Sequence, residues 1–114
     1  MNVKIAVASS DGATINEHFG RTPVFRIYAL TRHGHEFLEL RTGKPPCQHH
    51  EHSSIALETA AELISDCRGV IASQIGSGAI DVLLNRRIFA FTMSGSIDEA
   101  LAVLADNNRF KYSR

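Results

Sequence analysis

Three strand-like segments precede any helical pattern in this chain, and that order restricts the fold more than any other feature. Val3–Ala8 (VKIAVA) alternates and is rich in β-branched residues. Residues 23–30 (PVFRIYAL) continue the pattern after a long polar loop over 9–22. A turn around Gly34 leads to a short third strand over 36–40. The period then changes. Ser53 or Ser54 suits an N-cap, and Leu57, Ala60, Ala61 and Ile64 fall at i, i+3, i+4 and i+7, predicting a helix to about Asp66. Cys67 closes that apolar stripe and reads as a small buried hydrophobe. Gly69 opens a short strand, VIA at 70–72, followed by the turn SQIGSG and a helix over 79–85. A buried-type strand at 88–91 comes next. Ser96 with Glu99 then forms a capping box for a last helix, Ile97–Asp106, and a polar, loosely held tail ends the chain at 107–114.

The order βββαβαβα describes an α/β chain with a mixed five-stranded sheet and flanking helices. The first three strands make an antiparallel meander. Strands four and five follow helices and so pair parallel through right-handed crossovers. If the first strand points up, the third, fourth and fifth do so as well. The loops after them share one edge, where open α/β sheets bind ligands. That edge collects His18, the loop before the first helix, Gly76-Ser77-Gly78 and the turn at 92–95. The turn bearing His33 and His35 falls at the opposite edge, so both read as ordinary surface histidines despite their spacing.

The loop before the first helix, KPPCQHHEHSS at 44–54, carries most of the chemistry. It packs Cys47, His49, His50 and His52 into six residues behind a Pro45-Pro46 pair. Thiolate and imidazole suit zinc, copper, iron and iron–sulfur centres, whereas magnesium and calcium prefer oxygen. The spacing is no complete zinc motif, since it has neither a C-x2-C pair nor a second Cys/His pair. The loop therefore reads as part of a site. His18, in EHFGR, supplies a further imidazole at the same edge, with Phe19 packed down and Gly20 permitting the turn. Arg21 beside it suits an anion. Gly76-Ser77-Gly78 opens a helix and offers backbone N–H groups to an anion, though it is neither a dinucleotide fingerprint nor a phosphate-binding P-loop. The plainer reading of those glycines is a strand-to-helix turn with small residues for close packing.

Composition narrows the classes. At 114 residues, 44% hydrophobic and 21% charged, the chain is expected to form one domain spanning 1–114. Twelve basic residues balance twelve acidic ones, which argues against nucleic acid or an anionic membrane as partner. No apolar run approaches the roughly 20 residues of a membrane span. Two cysteines without a leader pattern set the expectation of a cytoplasmic protein without a disulfide. No nucleophile motif such as G-x-S-x-G appears, and Asp11 and Glu17 are too few carboxylates for two-metal hydrolysis.

KIAVASSDGATINEHFGRTPVFRIYAL, the C-x-HH-x-H loop, VIASQIGSGAIDVLL and SIDEALAVL, in that order, resemble the dinitrogenase iron–molybdenum cofactor-binding family (NifX/NifB C-terminal type) from about residue 3 to 105. The resemblance implies a ribonuclease H-like, three-layer fold. It also implies a protein that carries or stores an iron–sulfur cluster, the iron–molybdenum cofactor or its precursor, and that catalyses no reaction. Its partners would be metallocluster donor and acceptor proteins, and the chain itself a monomer or weak dimer. His18 of the HFG turn and the Cys47/His49/His50/His52 loop match the edge expected to face the cluster. Arg21 and the Gly76–Gly78 amides would balance an anionic cargo. A mononuclear zinc, copper or nickel protein is the alternative, distinguished by tight binding of simple ions without sulfide. A small ribonuclease H-like hydrolase is a weaker one, and would lose turnover on changing Asp11.

Overall fold

The computed structural model describes residues 3–19, 24–31, 34–42 and 53–106. Their elements are β1 (Val3–Ala8), β2 (Thr14–Ile15), β3 (Val24–Thr31), β4 (Gly34–Thr42), α1 (Ser53–Leu63), β5 (Gly69–Ala72), α2 (Ser77–Asn85), β6 (Phe89–Thr92), β7 (Gly95–Ser96) and α3 (Ile97–Asp106). Five strands form one mixed sheet in the order β4-β3-β1-β5-β6. β3 is antiparallel to both β1 and β4, while β5 is parallel to β1 and to β6. The strand directions inferred from the element order are those observed.

Alternation sorts β1 between two cores. Ala6 and Ala8 face one side with Phe25, Ile27, Val70 and Ala72, where α1, the turn after it and α2 cover them with Ala61, Ile64, Ala79 and Leu83. Val3, Ile5 and Val7 face the other with Tyr28, Leu30 and Ile71, beneath Ile97, Ala100, Leu101 and Leu104 of α3. The result is three layers, with two helices on one face of the sheet and one on the other. The small alanines on the first face let two helices lie close, while Ile64, Leu83 and Ile88 fill the space and are fully buried. Each such side chain contributes roughly 1.5–3 kcal/mol of apolar burial.

Two expected helix boundaries move. α1 stops at Leu63, short of Asp66, because the chain tightens into i→i−3 bonds from Ile64 to Ala61, Ser65 to Glu62 and Cys67 to Ile64. Arg41 on β4 then donates to the Leu63 carbonyl at 3.1 Å and caps that end. α2 begins at Ser77, two residues before Ala79, because the Gly76 carbonyl already accepts from Ile80. The long polar loop also holds structure of its own. Thr14–Ile15 pairs antiparallel with Gly95–Ser96, and Ile15 sinks into the core under α3. The tail at 107–114 lies outside the described residues.

Cys67 is buried, as its place on the apolar stripe predicts. Burial, reinforced by the Asp66 charge, pushes its thiol up to about 12. His35 departs from its reading as an ordinary surface residue. It is half-buried, 3.1 Å from Asp98 of α3, with its ring edge-on to Tyr28. His33 lies outside the described residues.

Candidate functional site

The carboxyl ends of β1, β5 and β6 and the far end of β4 share one edge, and the first loop is built to return there. Asp11 organises the loop's outward half. Its Oδ1 accepts from the Ala13 and Thr14 amides, each at 2.8 Å, and from Ser9 Oγ, while Oδ2 accepts from Thr14 Oγ1. Those bonds hold its carboxyl well below the usual carboxylate range, the Thr14 amide contributing most. Gly12 sits at φ 77, where a Cβ would also run into the Arg26 guanidinium. Asn16 clasps Ser10 through both its amide oxygen and its amide nitrogen. Asp11 thus shapes the turn, and its oxygens are spent on doing so.

The returning half of the loop is bound directly to the turn after β5. Residues 17–19 run parallel to residues 73–75, with His18 facing Gln74 as a bridge pair. The Ser73 amide donates to the Glu17 carbonyl at 2.9 Å, Ser73 Oγ to the same oxygen at 3.0 Å, and the Phe19 amide to the Gln74 carbonyl at 3.0 Å. Phe19 is buried against Phe25, with ring centroids 5.9 Å apart, and Ile75 is buried opposite. Between these two apolar anchors the exposed His18 is held at the edge. Alternation makes this outcome necessary: with Phe19 packed inward, its neighbour faces solvent.

Two residues beyond Gln74 stands Gly76, the N-cap of α2. Gly76 is extended at φ −71 and ψ 166 and carries no side-chain cap, and the first turn of the helix holds no acidic residue. Among the described residues, no side-chain cap or first-turn carboxylate therefore offsets the positive end of the helix. Close packing does not explain the glycines. Among the described residues, a Cβ at Gly76 would meet nothing within 4 Å, and one at Gly78 only Leu57 at an ordinary 3.9 Å. The bare backbone of Gly76-Ser77-Gly78 is exposed on the same side as His18. The turn after β6 joins the edge through the Met93 amide, which donates to the Ala72 carbonyl at 3.0 Å.

The structure thus sets His18, paired with Gln74, at the same edge as Gly76, Ser77 and Gly78. Arg21, Cys47, His49, His50 and His52 lie outside the described residues. Among the described residues, no three His, Cys, Asp or Glu side chains converge as a metal-binding group. Ser73 and Gln74 are the positions the sequence pattern passes over. Their signal is a polar Ser-Gln pair directly after a wholly buried strand at the ligand edge.

Comparison with known proteins agrees with this architecture. The chain matches the family described as dinitrogenase iron-molybdenum cofactor over residues 1–107. It is 34% identical over 76 residues, 67% of its length, to the FeMo cofactor biosynthesis protein NifB of Herbaspirillum seropedicae. It is 32% identical over 99 residues, 85% of its length, to NifB of Chlorobaculum tepidum. It is 36% identical over 83 residues, 73% of its length, to protein NifY of Klebsiella pneumoniae. The matched segments span 14%, 22% and 34% of those three relatives. Among solved structures, the NMR structure of a candidate NifB protein from Thermotoga superposes with a TM-score of 0.60, covering 98% of this chain and 99% of its own, at 16% identity. The crystal structure of a candidate dinitrogenase from Methanocaldococcus jannaschii gives 0.59, with 100% and 98% covered, at 13% identity, and both likenesses speak for the fold alone. By the extent of the family match, this chain belongs to the dinitrogenase iron-molybdenum cofactor family.

Proposed function

We propose that the chain binds and carries an iron–sulfur or molybdenum–iron–sulfur cluster during metallocluster assembly, receiving it from a donor protein and yielding it to an acceptor. The observation that carries this reading is the lashing of residues 17–19 to residues 73–75, which sets an exposed imidazole beside a bare, uncapped helix N-terminus. The chemistry fits an anionic, sulfide-bridged cargo: imidazole ligates iron, and backbone N–H groups with a helix dipole favour negative charge. The relatives named for FeMo cofactor biosynthesis support the same cargo class.

In this reading Cys47 supplies thiolate from the loop that follows β4. One or more of His49, His50 and His52 joins His18, and Arg21 balances charge. A carrier must release what it holds, so a ligand set less complete than that of a resident cluster is expected. No turnover is expected, and the three-layer fold is proposed to be of the ribonuclease H-like kind. The cytoplasm is the compartment in which such assembly and reduced thiols belong.

Elemental analysis and a visible spectrum of protein purified anaerobically, without a histidine tag, test the proposal. Iron or molybdenum with acid-labile sulfide and charge-transfer bands is the expected result, with weaker retention in His18→Ala and Cys47→Ala. Zinc, copper or nickel bound stoichiometrically without sulfide overturns it in favour of a mononuclear site. Unchanged cluster retention in both variants overturns the ligand assignment.

A further inference from the structure

At the opposite edge of the sheet, where β1, β5 and β6 begin, basic side chains gather around two adjoining clefts. The first, of about 290 Å³, is lined by Lys4, Arg68, Arg86 and Arg87 with Asp66 as the one carboxylate. The second, of about 470 Å³, shares Arg68 and Arg87 and adds Leu84, Ile88 and Phe89. In a chain of zero net charge, the described residues there give a local excess of three positive charges. Part of it is compensated internally. Lys4 pairs with Asp66 at 3.1 Å, Asp66 also receives Arg41, and Arg86 reaches Glu58 at 3.1 Å. Arg68 and Arg87 are exposed, and among the described residues neither takes part in an ion pair.

The backbone at Arg87 is the second, independent observation. The Ile88 amide donates to the Leu83 carbonyl and the Arg87 amide to the Leu84 carbonyl, each at 2.9 Å, which is a Schellman end to α2. That motif places its C′ residue in the left-handed region, where glycine is usual, and Arg87 stands there at φ 64. A side chain kept at a strained position, when glycine fits better, points to use of that side chain. Beside it lies an apolar shelf, with Leu84 56% and Phe89 48% exposed.

We propose that this edge docks an acidic segment of a partner protein, carboxylates on Arg68 and Arg87 and a neighbouring apolar residue on the Leu84–Phe89 shelf. Arginine forks match carboxylates bidentately, and arginine beside exposed aromatic and aliphatic surface is the composition of protein interfaces. A free inorganic anion leaves the shelf unexplained. A nucleic acid requires a broader basic footprint than two uncompensated guanidinium groups. The inference stands independently of the cargo at the other edge.

The test is titration of the uniformly 15N-labelled full chain with the peptide acetyl-EEFLEE-amide, with acetyl-KKFLKK-amide and inorganic phosphate as separate probes. The acidic peptide is expected to shift amides at Arg68, Arg87 and Phe89 and to leave His18 and Gly78 unmoved. Raising sodium chloride from about 50 to about 500 mM weakens binding roughly tenfold. Arg87→Gly separates binding from folding: it weakens the peptide about fivefold while raising the melting temperature, because glycine relieves the left-handed backbone. The proposal is overturned by an absence of shifts at these residues, by an equal response to the lysine peptide, or by phosphate alone reproducing the full pattern. Binding unaffected in Arg87→Gly, or a lower melting temperature for that variant, overturns it as well.

Discussion

The Phe19 amide donates to the Gln74 carbonyl at 3.0 Å, and through that bond the first loop of the chain becomes a short parallel extension of the strand after α1. The position of His18 is consequently a property of two segments 56 residues apart, locked by Phe19 beneath and by Ser73 alongside.

Ser73→Ala removes the hydroxyl that doubles the bond to the Glu17 carbonyl and leaves the Ser73 amide in place. The cost is expected to be about 1 kcal/mol. The change is local. Hydrogen exchange at the Phe19 amide accelerates, while exchange in β1 and β5 is unaltered.

The first part of the alkaline limb of stability belongs to Cys67. Its thiol is pushed up to about 12 in the folded protein, chiefly by burial, against an ordinary value of 9.0. A folded value above the unfolded one gives stability that is complete below pH 9 and declines as pH rises from there toward 12. The unfolded thiol loses its proton in that window while the folded one keeps it. The slope approaches about 1.4 kcal/mol per pH unit for one proton. Denaturant melts between pH 8 and 10 are expected to fall more steeply in the native chain than in Cys67→Ala, while above pH 10 Tyr28, also raised by burial, adds a decline that both share. Native-state alkylation should leave Cys67 unmodified at neutral pH.

On the acid side the sign reverses. Asp11, through the Thr14 and Ala13 amides, and Asp66, through Arg41, are both held below the ordinary 3.8. Their contributions are present above the unfolded value and are lost as pH falls below about 4. Urea midpoints measured from pH 6 to pH 2 are expected to drop in that lower range. Asp11→Asn makes the drop shallower and also frees the loop, seen as faster exchange at the Thr14 amide.

On α3, burial separates two leucine-like positions two residues apart. Leu101 is fully buried under the sheet, and Leu101→Ala is expected to cost about 2–5 kcal/mol. Val103 is 46% exposed, and Val103→Ala is expected to stay within about 0.5 kcal/mol. Chemical denaturation of the two variants checks both values.

The strands and helices were legible because each carries enough residues to show a period. Six residues of β1 alternate cleanly, and α3 repeats its apolar positions over nearly three turns. The convergence of loops at one edge is an inference from strand direction, and the pairing of His18 with Gln74 sets the first loop and the turn after β5 at that edge. The β2–β7 ribbon escapes notice because two residues have no period. Asp11 reads as a stray carboxylate, yet Asp followed by Gly and, at the third position, Thr is the pattern of a side chain folding its own turn. His35 with Asp98 joins positions 63 apart, and Arg41 with Asp66 joins positions 25 apart, pairings that only the assembled fold defines. Arg87 gives no warning at all, since the left-handed helix end is normally announced by glycine.

β1 and β5 each reach both edges of the sheet, one tipped by the His18 loop and the Gly76 turn, the other by Lys4 and Arg68. At about 3.3 Å per residue, four to six residues of strand keep the two ends roughly 13–20 Å apart. A molecule gripping the arginine end therefore casts no shadow on the imidazole end. On the two proposals above, docking and loading use opposite ends of the same strands, and mixing the chain with both an acidic segment and a cargo is expected to give a three-component complex.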